Sequence, residues 1–206
     1  MKSNCSVIIL AAGNSSRMGK SKFLLEMPNG ETFLEAITRQ YSDFGCANII
    51  VVLNKNGNSL LTDYPQNLPS NTQIAINYNH NSGRFSSIIT GLNLIDTNYT
   101  FIHNIDNPSA KAKVLDNLYN EKLQAEVIKP MMNSRGGHPV LISTRVCKDI
   151  LLEKKDNINL KDFLKNYSTK EVEVDGDSIF LNINTIEEYN KFCMKEANIF
   201  ASKIIE

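Results

Sequence analysis

Val7-Ile8-Ile9-Leu10 is a short apolar run rich in β-branched side chains, and it passes without a break into Ala11-Ala12-Gly13. A run with no polar alternation reads as a strand buried on both faces, the pattern of a parallel sheet covered by helices. The loop it delivers is made of small residues, Ala11, Ala12, Gly13, Ser15, Ser16 and Gly19, so a bulky ligand can approach its backbone N–H groups closely. Arg17, Lys20 and Lys22 add fixed positive charge. A polyphosphate suits such a loop. A Gly/Ser-rich surface loop between strand and helix is the plainer alternative.

Spacing discriminates among the known phosphate loops. A Walker A loop needs four residues between its glycines, whereas Gly13 and Gly19 enclose five. The dinucleotide pattern G-x-G-x-x-G fails because no glycine stands two residues after Gly13. What fits is L-A-A-G-x-S-x-R-M-G-x-x-K, matched at every specified position from Leu10 to Lys22. This resembles the signature of the MobA-like nucleotidyltransferases, the family of the guanylyl- and cytidylyltransferases that mature the molybdenum cofactor.

A chain of 206 residues is long enough for one α/β domain with a sizeable core, and no repeat, linker or low-complexity segment divides it, so a single domain over 1–206 is expected. The 22 basic and 22 acidic residues cancel, which leaves no global field to recruit nucleic acid or a membrane surface. Cys5, Cys46, Cys147 and Cys193 lie far apart with no C-x-x-C pair, arguing for reduced thiols over a metal knuckle or a disulfide framework. The N-terminal apolar run is too short for a signal peptide and no later stretch suits a bilayer span, so a soluble cytoplasmic protein is expected.

Thr32 with Glu35 forms a capping box before a helix with Phe33, Ile37 and Tyr41 on one face, and Gly45 stands where a C-terminal cap would. Asn48–Leu53 is a second buried strand, which completes a βαβ unit and predicts a mostly parallel sheet. The polar region from Asn54 to Asn71 has only a weak helical pattern and receives no function, and Gln73–Tyr78 alternates as a strand. A helix is expected from Ala110 to Asn120, followed by a strand through Val127 and Ile128. Val172–Val174 and Ile179–Ile183 around Asp175-Gly176-Asp177 predict a hairpin, and Thr185 with Glu188 caps a last helix.

Three further segments carry candidate chemistry. In Asn79–Leu92 a glycine turn at Gly83 precedes Ser86 and Ser87, either of which could cap a helix whose free N–H groups would receive an anion or a base edge. Arg84 could reach a phosphate or lie in solvent. Thr100–Pro108 is a strand ending in Asp106, which places a carboxylate where ligands of parallel sheets bind. Asp106 there is either a magnesium ligand sharing the ion with substrate phosphates or a helix cap. His103, alone in a strand, reads as a hydrogen-bonded structural residue. The third segment, Arg135-Gly136-Gly137-His138-Pro139-Val140, is a glycine turn running into a strand, in which His138 orients substrate or is structural, and Lys129 and Arg135 contact an anionic acceptor or are solvated.

The resemblance covers Leu10 to Tyr189 and implies a Rossmann-like three-layer α/β fold. It implies nucleotide binding by Leu10, Ala11, Ala12, Gly13, Ser15, Arg17 and Lys22, and by the second segment through Gly83, Ser86 and Ser87. It assigns catalysis to Arg17, Lys22 and Asp106, magnesium to Asp106 with Asn182 or Asn184, and the acceptor side of the cleft to Gly137 and His138. The implied reaction moves a nucleoside monophosphate from an NTP to a small phosphorylated acceptor such as molybdopterin and releases pyrophosphate. The product's partner would be a molybdoenzyme or its chaperone. The Ala11-Ala12-Gly13 opening resembles cytidylyl enzymes and favours CTP, whereas Asn182-x-Asn184 resembles guanylyl enzymes. Departures occur near Asn157, where a Gly-Asp-x-Gly pattern is missing, and at the asparagines in place of aspartates. These leave a degenerate nucleotide-binding module or a sugar-phosphate nucleotidyltransferase as alternatives. A kinase or ATPase is disfavoured by the glycine spacing.

Overall fold

The structure, a computed structural model, describes residues 2–13, 18–155 and 158–204. Among these residues one sheet of eight strands forms the centre: β1 (Lys2–Leu10), β2 (Cys46–Leu53), β3 (Thr72–Ile76), β4 (Tyr99–Asn104), β5 (Val127–Met132), β6 (Arg135–Gly136), β7 (Val140–Ser143) and β8 (Thr169–Glu173). The order is β3-β2-β1-β4-β7-β5-β6, with β8 on β5. The first four strands pair in parallel, as the βαβ reading requires. Beyond β4 the sheet turns mixed: β7 is antiparallel to β4 and β5, while β8 is parallel to β5.

Successive side chains of a strand point to opposite faces, and β1 shows the consequence. Cys5, Val7 and Ile9 enter a core with α1 (Phe33–Phe44), α4 (Ala112–Asn120) and Phe192 of α7 (Ile186–Ile204). Ile8 and Leu10 enter a second core with α3 (Arg84–Leu92), α5 (Thr144–Leu152) and α6 (Leu160–Leu164). The strand is thus apolar at both parities because helices cover both faces, which is the three-layer arrangement expected. α3 sits so close to β1 that a Cβ at Gly91 would fall 2.7 Å from Ile8 Cγ2. That close approach fixes the helix, and with it the position of its N-terminus.

Local signals decide several boundaries. Thr32 and Glu35 form the reciprocal capping box of α1, and Gly45 closes that helix in a left-handed conformation at φ 93°. Thr185 and Glu188 do the same before α7. The polar region after β2 contains a helix, α2 (Lys55–Asp63), capped by the Asn54 side chain. The turn between β5 and β6 is made by Asn133 and Ser134, both at positive φ, rather than by the glycines that follow.

The hairpin expected around Asp175-Gly176-Asp177 does not form. β8 ends at Glu173, Gly176 turns the chain at φ 96°, and Asp177–Phe180 is a 3-10 turn. The backbone beyond it serves other partners: Ile179 O accepts from His138 N at 2.9 Å, and Ile183 N donates to Asp106 O at 2.8 Å. Ile179 and Ile183 are buried in the core, so their apolar spacing reflects packing of an irregular segment rather than a strand. Among the described residues no helix is long and apolar enough to cross a membrane.

Candidate active site

The carboxyl ends of β1, β3 and β4 open on one cleft of about 420 Å³, at the sheet edge where open α/β folds bind ligands. Its walls carry Leu10, Ala12 and Gly13 from the first loop, Lys22 from the 3-10 turn after it, and Asn104, Ile105 and Asp106 from the end of β4. His80, Gly83, Arg84 and Ser87 come from the approach to α3, and Asn184 from the approach to α7. Residues separated by most of the chain's length therefore converge. Ser15 and Arg17 lie outside the described residues, as does Asn157.

The centre of the cleft is a three-way contact. The β1–β4 ladder continues one step past the strands through Ile105 N to Leu10 O at 3.2 Å, which sets Asp106 beside the first loop. Lys22 Nζ lies 3.7 Å from Asp106 Oδ2, with only 14% and 10% of the two side chains exposed. The same ammonium donates to Asn184 Oδ1 at 2.5 Å. Asn184 is held in turn, its N–H donating to Glu188 Oε2 at 2.7 Å and its Nδ2 to Asn182 O at 3.1 Å. The capping role open to Asp106 is not the one it takes, because α4 begins at Ala112 after Lys111. Asn182 is exposed and meets this centre only through its carbonyl.

The donors facing Lys22 are a carboxylate and an amide oxygen, a hard-oxygen set suited to magnesium when phosphates complete the shell. Among the described residues no group of three His, Cys, Asp or Glu side chains could hold a metal unaided. A divalent cation placed here would need further oxygen ligands, of the kind substrate phosphates supply.

The first loop is braced from behind. Asn54 Nδ2 donates to Ala12 O at 2.9 Å, and Ala11 N donates to Val52 O at 2.9 Å, so Ala11 continues the sheet while Ala12 and Gly13 face the cleft. At α3 the cap is Gly83, at φ 87° and ψ −175°, and neither serine takes that role. Ser86 and Ser87 sit inside the first turn because Gly83 adopts a conformation closed to other residues. Their hydroxyls both accept from Asn77 Nδ2 at 2.9 Å, and Ser86 Oγ donates to Gly83 O at 2.8 Å. Ser87 reaches the cleft and Ser86 belongs to its support. Asn54 and Asn77, missed in the sequence, each stand one residue past a parallel strand, and that position was the available signal.

The segment expected on the acceptor side adjoins this centre. Asn104 Nδ2 lies 3.4 Å from His138 Nε2, while His138 Nδ1 is buried without a hydrogen bond. Burial pushes the His138 imidazole below the usual histidine value; Asp106 opposes that shift and Arg84 adds to it. Gly137 is a packing residue, since a Cβ there would meet Ile179 O at 2.6 Å. Lys129 pairs with Glu171 at 2.8 Å, and Arg135 stacks on the Phe180 ring, which leaves both outside the cleft lining. His103 is structural as read: wholly buried, with Nδ1 3.0 Å from the Tyr41 hydroxyl and Nε2 2.7 Å from Asn107 O.

Comparison with known proteins supplies relatives of this chain. Residues 7–172 match the model of the MobA-like NTP transferase domain. The chain is 28% identical to the molybdenum cofactor cytidylyltransferase of Escherichia coli (strain K12), over 88% of this chain and 92% of that one. It is 29% identical to a probable molybdenum cofactor guanylyltransferase of Clostridium perfringens (strain ATCC 13124), over 93% of this chain and 97% of the other. The fold is shared with the homologue of Mycobacterium tuberculosis Rv0371c from Mycobacterium sp. strain JC1, with a TM-score of 0.80 and 20% identity over 97% of this chain and all of that one.

Proposed function

The chain belongs to the MobA-like NTP transferase family and is a nucleotidyltransferase, and on that premise we propose that it moves a nucleoside monophosphate, with CTP the favoured donor, onto a phosphate-bearing acceptor such as molybdopterin. The observation that carries this reading is the meeting of Lys22, Asp106 and Asn184 in one cleft at the carboxyl edge of the parallel strands. An acceptor phosphate oxygen attacks the α-phosphorus in line, the bond from that phosphorus to the bridging oxygen breaks, and pyrophosphate leaves. The acceptor oxygen is already anionic, so positioning and charge neutralisation matter more than a general base.

In this reading Ala12 and Gly13 present backbone to the nucleotide, and Lys22, with Arg17, neutralises the triphosphate and the charge that develops on it. Asp106 and Asn184 would hold magnesium, which supplies charge neutralisation across the phosphate oxygens when bound. His138 and Asn104 lie on the side of Asp106 where the acceptor would enter. CTP is favoured by the Ala11-Ala12-Gly13 opening and by the likeness to the cytidylyltransferase of E. coli. GTP is the second reading, favoured by Asn182-x-Asn184 and by the likeness to the C. perfringens guanylyltransferase.

The deciding experiment incubates protein, magnesium and each NTP with molybdopterin and follows pyrophosphate. Pyrophosphate that needs the acceptor and disappears in Asp106→Ala is the expected result. Orthophosphate in its place would indicate an NTPase, and no nucleotide binding would leave the transferase assignment without support.

A further inference from the structure

Asp106 and Asn184 belong to distant parts of the chain, and the reaction proposed above needs their oxygens in register at Lys22. We propose that Asn107 is the positioning residue that sets this register, tying the loop that carries Asp106 to the segment that carries Asn184. The inference rests on the transferase reading above and deepens it.

Asn107 is wholly buried and does not line the cleft. Burying an amide side chain is costly unless its polar atoms are paired, and both of them are paired here. Nδ2 donates to Ser178 O at 3.0 Å, and Oδ1 accepts from Ser109 N at 3.1 Å. The backbone is held as firmly: N donates to Asn104 O at 3.0 Å, and O accepts from His103 Nε2 at 2.7 Å. A carbonyl can only accept, so His103 carries its proton on Nε2, and Nδ1 is left to accept from the Tyr41 hydroxyl at 3.0 Å. Asn107 therefore cannot turn without breaking buried bonds of both its side chain and its backbone.

Two ties run from this loop to the segment before α7. Asn107 Nδ2 holds Ser178, in the 3-10 turn of Asp177–Phe180, and the Asp106 carbonyl holds Ile183 N at 2.8 Å, immediately before Asn184. The stretch between them lies beyond β8 and belongs to no strand, so single bonds of this kind place it. Gln40 of α1 braces the far side of the loop: its Nε2 donates to Pro108 O at 3.2 Å, and its Oε1 accepts from Ala110 N. Asp106 and Asn184 are thus set against each other from outside the cleft. A misplacement of about 1 Å at reacting groups can cost roughly 100-fold in rate, so such a tie governs turnover without touching substrate.

Pyrophosphate release from CTP and from GTP, with magnesium and molybdopterin, tests this on wild type, Asn107→Leu, Asn184→Ala and the double variant. Circular dichroism establishes that each is folded. Leucine keeps the volume of the side chain and removes the bond to Ser178. The expected result for Asn107→Leu is a kcat lower by about tenfold or more, with KM for the nucleotide within about threefold, because the first loop is not tied through Asn107. In the Asn184→Ala background the same substitution should cost less than about threefold, since the group it positions is already gone. A side chain that only stabilises the fold would leave kcat unchanged or lower it equally in both backgrounds, and either result would overturn the proposal. If Asn107→Leu does not fold, Gln40→Met, at the half-buried outer side of the loop, takes its place in the same cycle. A kcat for it within about twofold of wild type would overturn the proposal equally. A wild type that releases no pyrophosphate from either nucleotide would overturn the transferase reading itself, and this role with it.

Discussion

Lys22 occupies the place that a cation would take. Its ammonium rests on Asn184 Oδ1 and near Asp106 Oδ2, the two oxygens proposed above to hold magnesium. Two positive charges cannot share that position at close range without a large electrostatic cost. Binding of a divalent ion is therefore expected to require the nucleotide, whose phosphates draw Lys22 away. Titration of Mn2+ by electron paramagnetic resonance should show weak binding to the nucleotide-free wild type and tighter binding to Lys22→Met. Pyrophosphate release by that variant should fall by roughly 100-fold or more, the typical effect of removing one preorganised charge partner. Mn2+ affinity equal in the two proteins would count against the exchange.

His103 gives a second expectation at this scale. Burial holds its folded pKa at about 4 against the usual 6.5, so the unfolded chain takes up a proton first as pH falls. Its contribution is present above pH 6.5 and is lost progressively down to about pH 4, on the order of 3 kcal/mol if unopposed. Urea unfolding of wild type and His103→Gln across that window should show a shallower pH slope in the variant. Parallel slopes would mean that the imidazole is not kept neutral.

At the scale of elements, the link between the irregular segment at Ile179 and the β5–β7 region is sterically tight. Gly137→Ala would put a methyl group into the Ile179 backbone and weaken the His138 N to Ile179 O bond beside it. A loss of about 1–3 kcal/mol in urea unfolding is expected, the usual cost of overpacking. Stability unchanged from wild type would show that the segment yields freely. This segment was also the least legible part of the sequence. Ile179 and Ile183 carried a strand-like pattern, but their backbone partners, His138 and Asp106, lie far away in the chain, and no local signal names them. The capping boxes at Thr32 and Thr185 were legible because their chemistry lies within four residues.

The whole molecule shows the same division. The first loop and Asp106 could be read directly, since a buried strand entering small residues and a strand ending in carboxylate are local patterns. Asn54 and Asn77 could not, because their importance comes from the order β3-β2-β1-β4, which aligns the ends of strands distant in sequence. Lys129 was likewise open until the parallel pairing of β5 with β8 set it against Glu171. Pairing of β4 with β7 joins the parallel and mixed halves, and both cores draw on residues from each half. Far- and near-ultraviolet circular dichroism are therefore expected to report one coincident unfolding transition. Two separated transitions would divide the chain into independent units.

The place of Asn184 has a consequence for biosynthesis. The family match stops at residue 172, yet the amide oxygen facing Lys22 stands twelve residues beyond it, tied to Asp106 by the Ile183 backbone and anchored by α7, whose Tyr189 hydroxyl reaches back to Glu26 O. A ribosome makes the first loop well before it makes this residue. A chain cut short before residue 183 would lose Asn184 together with Ile183 and Phe192, which belong to the core behind the cleft. Under the proposed reaction the chemistry therefore waits for the same segment that completes the core.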